Sequence, residues 1–223
     1  THAPVAEGQC DACHVMENGT AGKKLVATVP ALCVTCHDDM ANVATRKTPH
    51  APAAEGDCLT CHDPHRDSGS GHLLKASQSK LCGECHEDTM APSKDPVTHK
   101  AFANGDCASC HDVHGSANAH LAKSADGTMC LTCHAKVGER LAKVAGGHPP
   151  ATKKDCLKCH APHHSAQAAL LVKDERALCI TCHNATQRKT AGKEPHPPFA
   201  GGNCSTCHEP HQSAAAGLLK QKP

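Results

Sequence analysis

The chain has 223 residues and a formal net charge of +1, with only two aromatic residues, Phe102 and Phe199, and no Trp or Tyr. A polypeptide this long normally buries a substantial core, but this one lacks the apolar mass to build it and reads as disordered when left to itself. No basic patch with interleaved aromatics marks a nucleic-acid surface, and the longest apolar stretches are far too short to span a bilayer.

Cysteine, not hydrophobicity, organises the sequence. All eighteen cysteines fall in C-x-x-C pairs: Cys10/Cys13, Cys33/Cys36, Cys58/Cys61, Cys82/Cys85, Cys107/Cys110, Cys130/Cys133, Cys156/Cys159, Cys179/Cys182 and Cys204/Cys207. Each pair is followed at once by a histidine: His14, His37, His62, His86, His111, His134, His160, His183 and His208. Paired cysteines also suit tetrahedral zinc, redox dithiols and disulfide frameworks. Nine placements of histidine after the second cysteine would arise by chance about once in a billion. C-x-x-C-H attaches c-type haem, with two thioether bonds to the porphyrin and the imidazole on the iron. The set is therefore read as nine haem c groups. They would supply the missing apolar mass and make folding depend on the cofactor. With two propionates per haem, the oxidised holoprotein carries a net charge of roughly −8.

Taken in chain order, the motifs form two alternating series. First cysteines at 10, 58, 107, 156 and 204 make the first series, and those at 33, 82, 130 and 179 the second. The repeat therefore carries two haems, and the chain reads as a single multihaem domain, 1–223, of units near 1–48, 49–97, 98–146, 147–194 and a half unit 195–223. Four of the five first-series motifs follow Asp57, Asp106, Asp155 or Asn203, which are placed to cap a helical turn, and the first follows Gln9. Second-series motifs follow Leu32, Leu81, Met129 and Leu178, with helix formers upstream of Cys179, and predict short helices. Pro and Gly punctuate the rest and alternating strand patterns are missing. The expected fold is mostly coil with short α-helices, wrapped on haems that form the core in a regular chain.

Twelve of the 21 histidines remain. His2, His50, His99, His148 and His196 each lie eight residues before a first-series cysteine, and His65, His114, His163 and His211 occupy the position C-H-x-x-H. Five and four make nine distal imidazoles. A histidine three residues past the proximal ligand cannot easily reach the opposite face of the same haem, so His65 must serve a neighbour. Glu17 stands at this position in the first unit. Assigning each such histidine to the preceding second-series haem leaves no orphan, pairing His65 with His37, His114 with His86, His163 with His134 and His211 with His183. The His2 series then pairs with His14, His62, His111, His160 and His208. His72, His120 and His164 are left as surface residues.

Over essentially its whole length the chain resembles the multihaem c-type cytochromes with a doubled C-x-x-C-H motif, and its histidine eight residues before the first cysteine is similar to an arrangement in tetrahaem class III cytochromes. The resemblance implies low-potential bis-histidine irons, closely packed haems and a life outside the cytoplasm. Members include periplasmic carriers, haem conduits in outer-membrane porins and subunits of extracellular filaments. Irons with two imidazoles have no open site for substrate, so the protein is expected to be an electron-transfer protein, not an enzyme. It is expected to self-associate end to end into a filament or, alternatively, to act as a discrete periplasmic or porin-inserted carrier, with a multihaem reductase a poor third. Its partners would be copies of itself, other cytochromes or a porin complex. Haem is attached after export, so the chain is expected in the periplasm or outside the cell, and the start at Thr1 reads as a processed form without its signal peptide.

Overall fold

A computed structural model describes residues 1–143, 146–184 and 197–221. The chain divides into two compact units, residues 1–91 with 104–123 and residues 92–103 with 124–223.

Both units are built from turns and short helices, as the composition predicts, and neither has a conventional core. Val43, 3% exposed, is the only buried hydrophobic side chain among the described residues, while Leu59, Leu157 and Val172 stand open to solvent. Apolar burial normally drives folding at about 25 cal/mol per Å². This polypeptide supplies almost none of it by itself.

In the first unit a hairpin follows the first motif: β1 (His14–Glu17) pairs antiparallel with β2 (Thr20–Leu25). Its turn is Asn18-Gly19, both residues at positive φ (51° and 79°), the pair that a tight hairpin favours. The expectation of no strands is corrected here. The alternation is weak, but the Asn-Gly signal is present in the sequence.

Two further miniature sheets form at long range. In the first unit, β3 (Thr48–Pro49) pairs with β5 (Gly115–Ser116). In the second, β4 (Val97–Thr98) pairs with β6 (His164–Ser165). Each joins the approach to one first-series motif with the exit from the next.

The first-series motifs sit on single turns: Cys10–Ala12, Cys58–Cys61, Cys107–Ser109, Cys156–Lys158 and Cys204–Thr206. Asp57, Asp106, Asp155 and Asn203 occupy the cap position, but none makes a side-chain cap. The reason is backbone geometry. A side-chain cap needs an extended residue, and these four have ψ between 49° and 62°. At the Cys107 and Cys204 turns the capping acceptor comes instead from the preceding motif's helix. Gln78 Oε1 accepts from the Ala108 N–H at 2.8 Å, and Glu175 accepts from the Ser205 N–H and hydroxyl. Those helices, Gln78–Gly83 and Glu175–Cys182, are themselves capped by Ser77 and Asp174, whose ψ is 150°.

The docking is close enough to exclude a side chain. Gly105 and Gly202 have φ near +75°, and a Cβ at either would come within 2.7 Å of Ser79 or Arg176 respectively. No described helix is long and apolar enough to cross a membrane.

Candidate haem centres

The second cysteine and the histidine of every first-series motif are fixed by the chain that follows. After the motif the backbone turns back and forms a bridge beside the histidine, at His62–Leu74, His111–Ala122, His160–Leu171 and His208–Leu219. The carbonyl of the second cysteine accepts an N–H from this strap: Cys61 from Lys75, Cys110 from Lys123, Cys159 from Val172 and Cys207 from Lys220. Within each strap, two consecutive residues adopt left-handed backbone: His72-Leu73, His120-Leu121, Ala169-Leu170 and Gly217-Leu218.

Two such residues turn two successive carbonyls toward the motif. The first accepts from the histidine ring, so that His62 Nδ1 meets the His72 carbonyl at 2.9 Å, His111 the His120 carbonyl at 2.8 Å, His160 the Ala169 carbonyl at 2.9 Å and His208 the Gly217 carbonyl at 2.8 Å. The second accepts from the N–H just after the histidine, at Asp63, Asp112, Ala161 and Glu209. In the first repeat the hairpin does the same work, with His14 Nδ1 on the Gly22 carbonyl at 2.7 Å and Val26 donating to Cys13. With Nδ1 engaged, Nε2 is the nitrogen left for a metal, the usual way a ligand imidazole is oriented.

This resolves two of the three surplus histidines. His72 and His120 contribute backbone carbonyls. The third, His164, lies on β6, where its Nδ1 meets Asp95 Oδ2 at 2.6 Å and the Ser93 hydroxyl at 3.0 Å. Sequence reading missed these acceptors, although the recurring tetrapeptides GHLL, AHLA, AALL and AGLL at a fixed place in the repeat mark them.

The distal candidates face partners other than those expected from the sequence. Imidazole pairs face one another within each unit, among them the following seven. In the first unit His2 faces His37 (6.1 Å between centroids), His14 faces His65 (5.8 Å), His50 faces His86 (6.1 Å) and His62 faces His114 (6.0 Å). In the second His99 faces His134 (6.1 Å), His148 faces His183 (6.0 Å) and His160 faces His211 (6.0 Å). In these pairs His2, His50, His99 and His148 face the second-series histidine of their own repeat, and His65, His114 and His211 face the first-series histidine of the repeat before. The pairings of His65 with His37, His114 with His86 and His211 with His183 are corrected, as are those of His2, His50 and His148 with the nearest first-series histidine. His134 faces His99 and not His163, whose ring packs on Phe102 at 4.7 Å. His196 lies outside the described residues.

The physical reason is the long-range pairing. The N–H of His50 donates to the His114 carbonyl, that of His99 to His163 and that of His148 to His211, so two distal histidines from adjacent repeats are held together and point at different motifs. Burial lowers the pKa of His114, with the facing His62 adding to the effect, and burial lowers that of His211, with His160 adding. Both shifts favour the neutral imidazole, the form in which a histidine binds a metal.

The separation tests the fit of haem directly. Two imidazoles bound on opposite sides of one metal at about 2 Å each place their ring centres about 6 Å apart. The seven pairs have that spacing, with interplanar angles of 15° to 36°. Among the described residues no three His, Cys, Asp or Glu side chains converge on a bare metal ion. Imidazoles in twos suit an iron whose other four ligands belong to a porphyrin.

The cysteines expected to attach haem are not buried inside the polypeptide. Cys10, Cys36, Cys85, Cys133, Cys182 and Cys207 are exposed, and the others, Cys110 and Cys130 among them, are half-buried. A sulfur that bonds a porphyrin edge has to face outward from its own backbone, and this placement allows it. The second-series Cys133 has no strap. Its N–H donates to the Cys130 carbonyl at 3.3 Å, and its Sγ accepts from the Thr132 hydroxyl at 3.9 Å, as Cys36 Sγ does from Thr35.

Within each unit, consecutive motifs lie beside one another. Burial pushes the Cys82 thiol up to about 11 with Cys107 adding to it, and the Cys179 thiol up to about 11 with Cys204 adding. Burial likewise raises Cys33, helped by Cys58, Cys61, helped by Cys85, and Cys159, helped by Cys182. Through these contacts neighbouring attachment edges follow one another in sequence order. Cys110, Cys133 and Cys207 are placed by the backbone bonds given above.

No curated protein matches the sequence. The doubled CXXCH motif family matches it five times, over residues 2–42, 50–91, 99–139, 148–188 and 196–223. These matches take in both motifs of each full repeat, the straps between them and the histidines that face them, and on that footing the chain belongs to the doubled CXXCH motif family, as a multihaem c-type cytochrome with covalently attached haem c.

Proposed function

We propose that the protein carries nine haem c groups, one at each motif, and conducts electrons along them as a subunit of an extracellular filament. The observation that carries this reading is the set of seven imidazole pairs about 6 Å apart, each containing the histidine of a C-x-x-C-H motif. Haem c, when bound, supplies a one-electron iron couple. The chain's residues do the rest. The cysteines would attach each haem, the paired imidazoles would hold its iron and leave no site for substrate, and the straps keep the proximal rings in orientation. Adjacent cysteine pairs set neighbouring groups side by side, as hopping requires. On this reading the protein is not an enzyme.

The filament rests on the repeat. A row of motifs at a regular sequence interval could continue across a head-to-tail contact between copies, and such contacts propagate when the rotation does not close. The few buried apolar side chains and the haem attachment chemistry accord with an exported protein whose core is its cofactor. Intact mass and haem titration test the count: nine per chain supports it, and fewer sinks it. Electron microscopy of sheared and secreted fractions tests the assembly. Uniform fibres uphold the filament; discrete particles replace it with a periplasmic or porin-bound carrier.

A further inference from the structure

The two series of motifs differ in one chemical respect. Every first-series histidine donates Nδ1–H to a backbone carbonyl: His14 to Gly22, His62 to His72, His111 to His120, His160 to Ala169 and His208 to Gly217. Among the described residues no acceptor stands at Nδ1 of the second-series His37, His86 or His134. Their motifs run straight into short helices, Asp38–Met40, Glu87–Met90 and Ala135–Lys143, so no strap returns to them. The distal partners do not even out the contrast. His50 Nδ1 meets the Val113 carbonyl at 2.7 Å, but His2, His99 and His148 have no such bond among the described residues.

An imidazole that donates its second N–H to an acceptor becomes a more basic ligand. A more basic ligand favours ferric over ferrous iron, which lowers the potential at which the iron takes up its one electron. We propose that the strap carbonyls are a tuning device that sorts the irons into two alternating classes, with the first-series centres harder to reduce than the second-series centres. The inference rests on the haem reading above. It assigns a function to Gly22, His72, His120, Ala169 and Gly217, which act through the proximal histidines as positioning residues.

The left-handed backbone makes the device testable one centre at a time. Ala169 has φ 53° and ψ 23°, a conformation that a β-branched side chain resists and glycine accepts. In the holoprotein, Ala169→Val loosens the acceptor of His160, and Ala169→Gly retains it. The expected result is a rise in the potential of the haem at Cys156 and Cys159 alone. At fixed ambient potential its reduced-to-oxidised ratio rises about tenfold, which is 59 mV for a one-electron couple. The glycine variant and the other centres stay in place.

A purely structural strap would change stability without moving this potential. An unmoved potential in a fully loaded Ala169→Val protein overturns the proposal. A second measurement does not depend on any variant: proton exchange at histidine Nδ1 in the ¹⁵N-labelled native holoprotein. Slow exchange at His14, His62, His111, His160 and His208 with fast exchange at His37, His86 and His134 supports the two classes, and uniform exchange overturns them. Haem stoichiometry is read on the same samples. A chain lacking haem at Cys156 and Cys159 refutes the haem reading itself, which is a different outcome from a loaded chain with an unmoved potential.

Discussion

Residues 14–26 and residues 160–172 solve one problem with different backbone. In the first stretch a hairpin turned by Asn18-Gly19 brings the Gly22 carbonyl to His14 and Val26 to Cys13. In the second, the left-handed pair Ala169-Leu170 brings the Ala169 carbonyl to His160 and Val172 to Cys159. The position of one acceptor is kept while the element that delivers it changes. The same comparison explains Glu17. Where later repeats turn at the C-H-x-x-H position, the first repeat runs on as strand, so residue 17 belongs to β1 and sends no ring to another motif.

The largest effect that probes this comparison comes from the facing rings. His65→Met should alter the iron held by His14, behind the hairpin, and His211→Met the iron held by His160, behind the left-handed strap. Electron paramagnetic resonance should show one changed signal in each case. A change at the haem of Cys33 and Cys36 in the first variant would restore the partner expected from sequence.

Next in size is Gly22→Ala. A Cβ there would lie 2.8 Å from Glu17 Cδ and 2.9 Å from the Val15 carbonyl, and overpacking of this kind costs about 2 kcal/mol. Denaturant unfolding, with hydrogen exchange to locate the loss, should place it in the hairpin alone.

Gly217→Ala should be milder. Nothing lies within 4 Å of the added carbon, and only the φ of 67° opposes it, at about 1 kcal/mol. The smallest effect separates capping from strapping: Ser77→Ala removes a 3.4 Å cap bond and should cost about 0.5 kcal/mol in denaturant unfolding, leaving both kinds of strap intact.

The motifs, their two series and both sets of additional histidines are legible in the sequence because spacing alone exposes them. The partner of each histidine is not. Counting histidines so that none is orphaned favours His65 with His37, but the pairing depends on hydrogen bonds such as Thr48 to Ser116 and His50 to His114, between segments far apart in sequence whose local composition says nothing of each other. The caps fail for a local reason, since an aspartate before a turn is necessary but its ψ decides. The straps were hidden for a third reason. Leu73, Leu121 and Leu170 sit at φ near 56°, a conformation that leucine rarely takes, and each is held there by hydrogen bonds that the finished fold provides.

The interlocking of repeats also sets a clock. Chains are made from the N-terminus onward, so when His14 emerges its facing ring, on His65, is still about 50 residues from being made. His62 waits as long for His114, and His160 for His211. His37, in contrast, finds His2 already there, as His86 finds His50. On the proposed reading the two series would therefore mature differently: the motifs of His37 and His86 would find both rings made as soon as they appear, while those of His14, His62 and His160 would wait for the following repeat to supply the second ring.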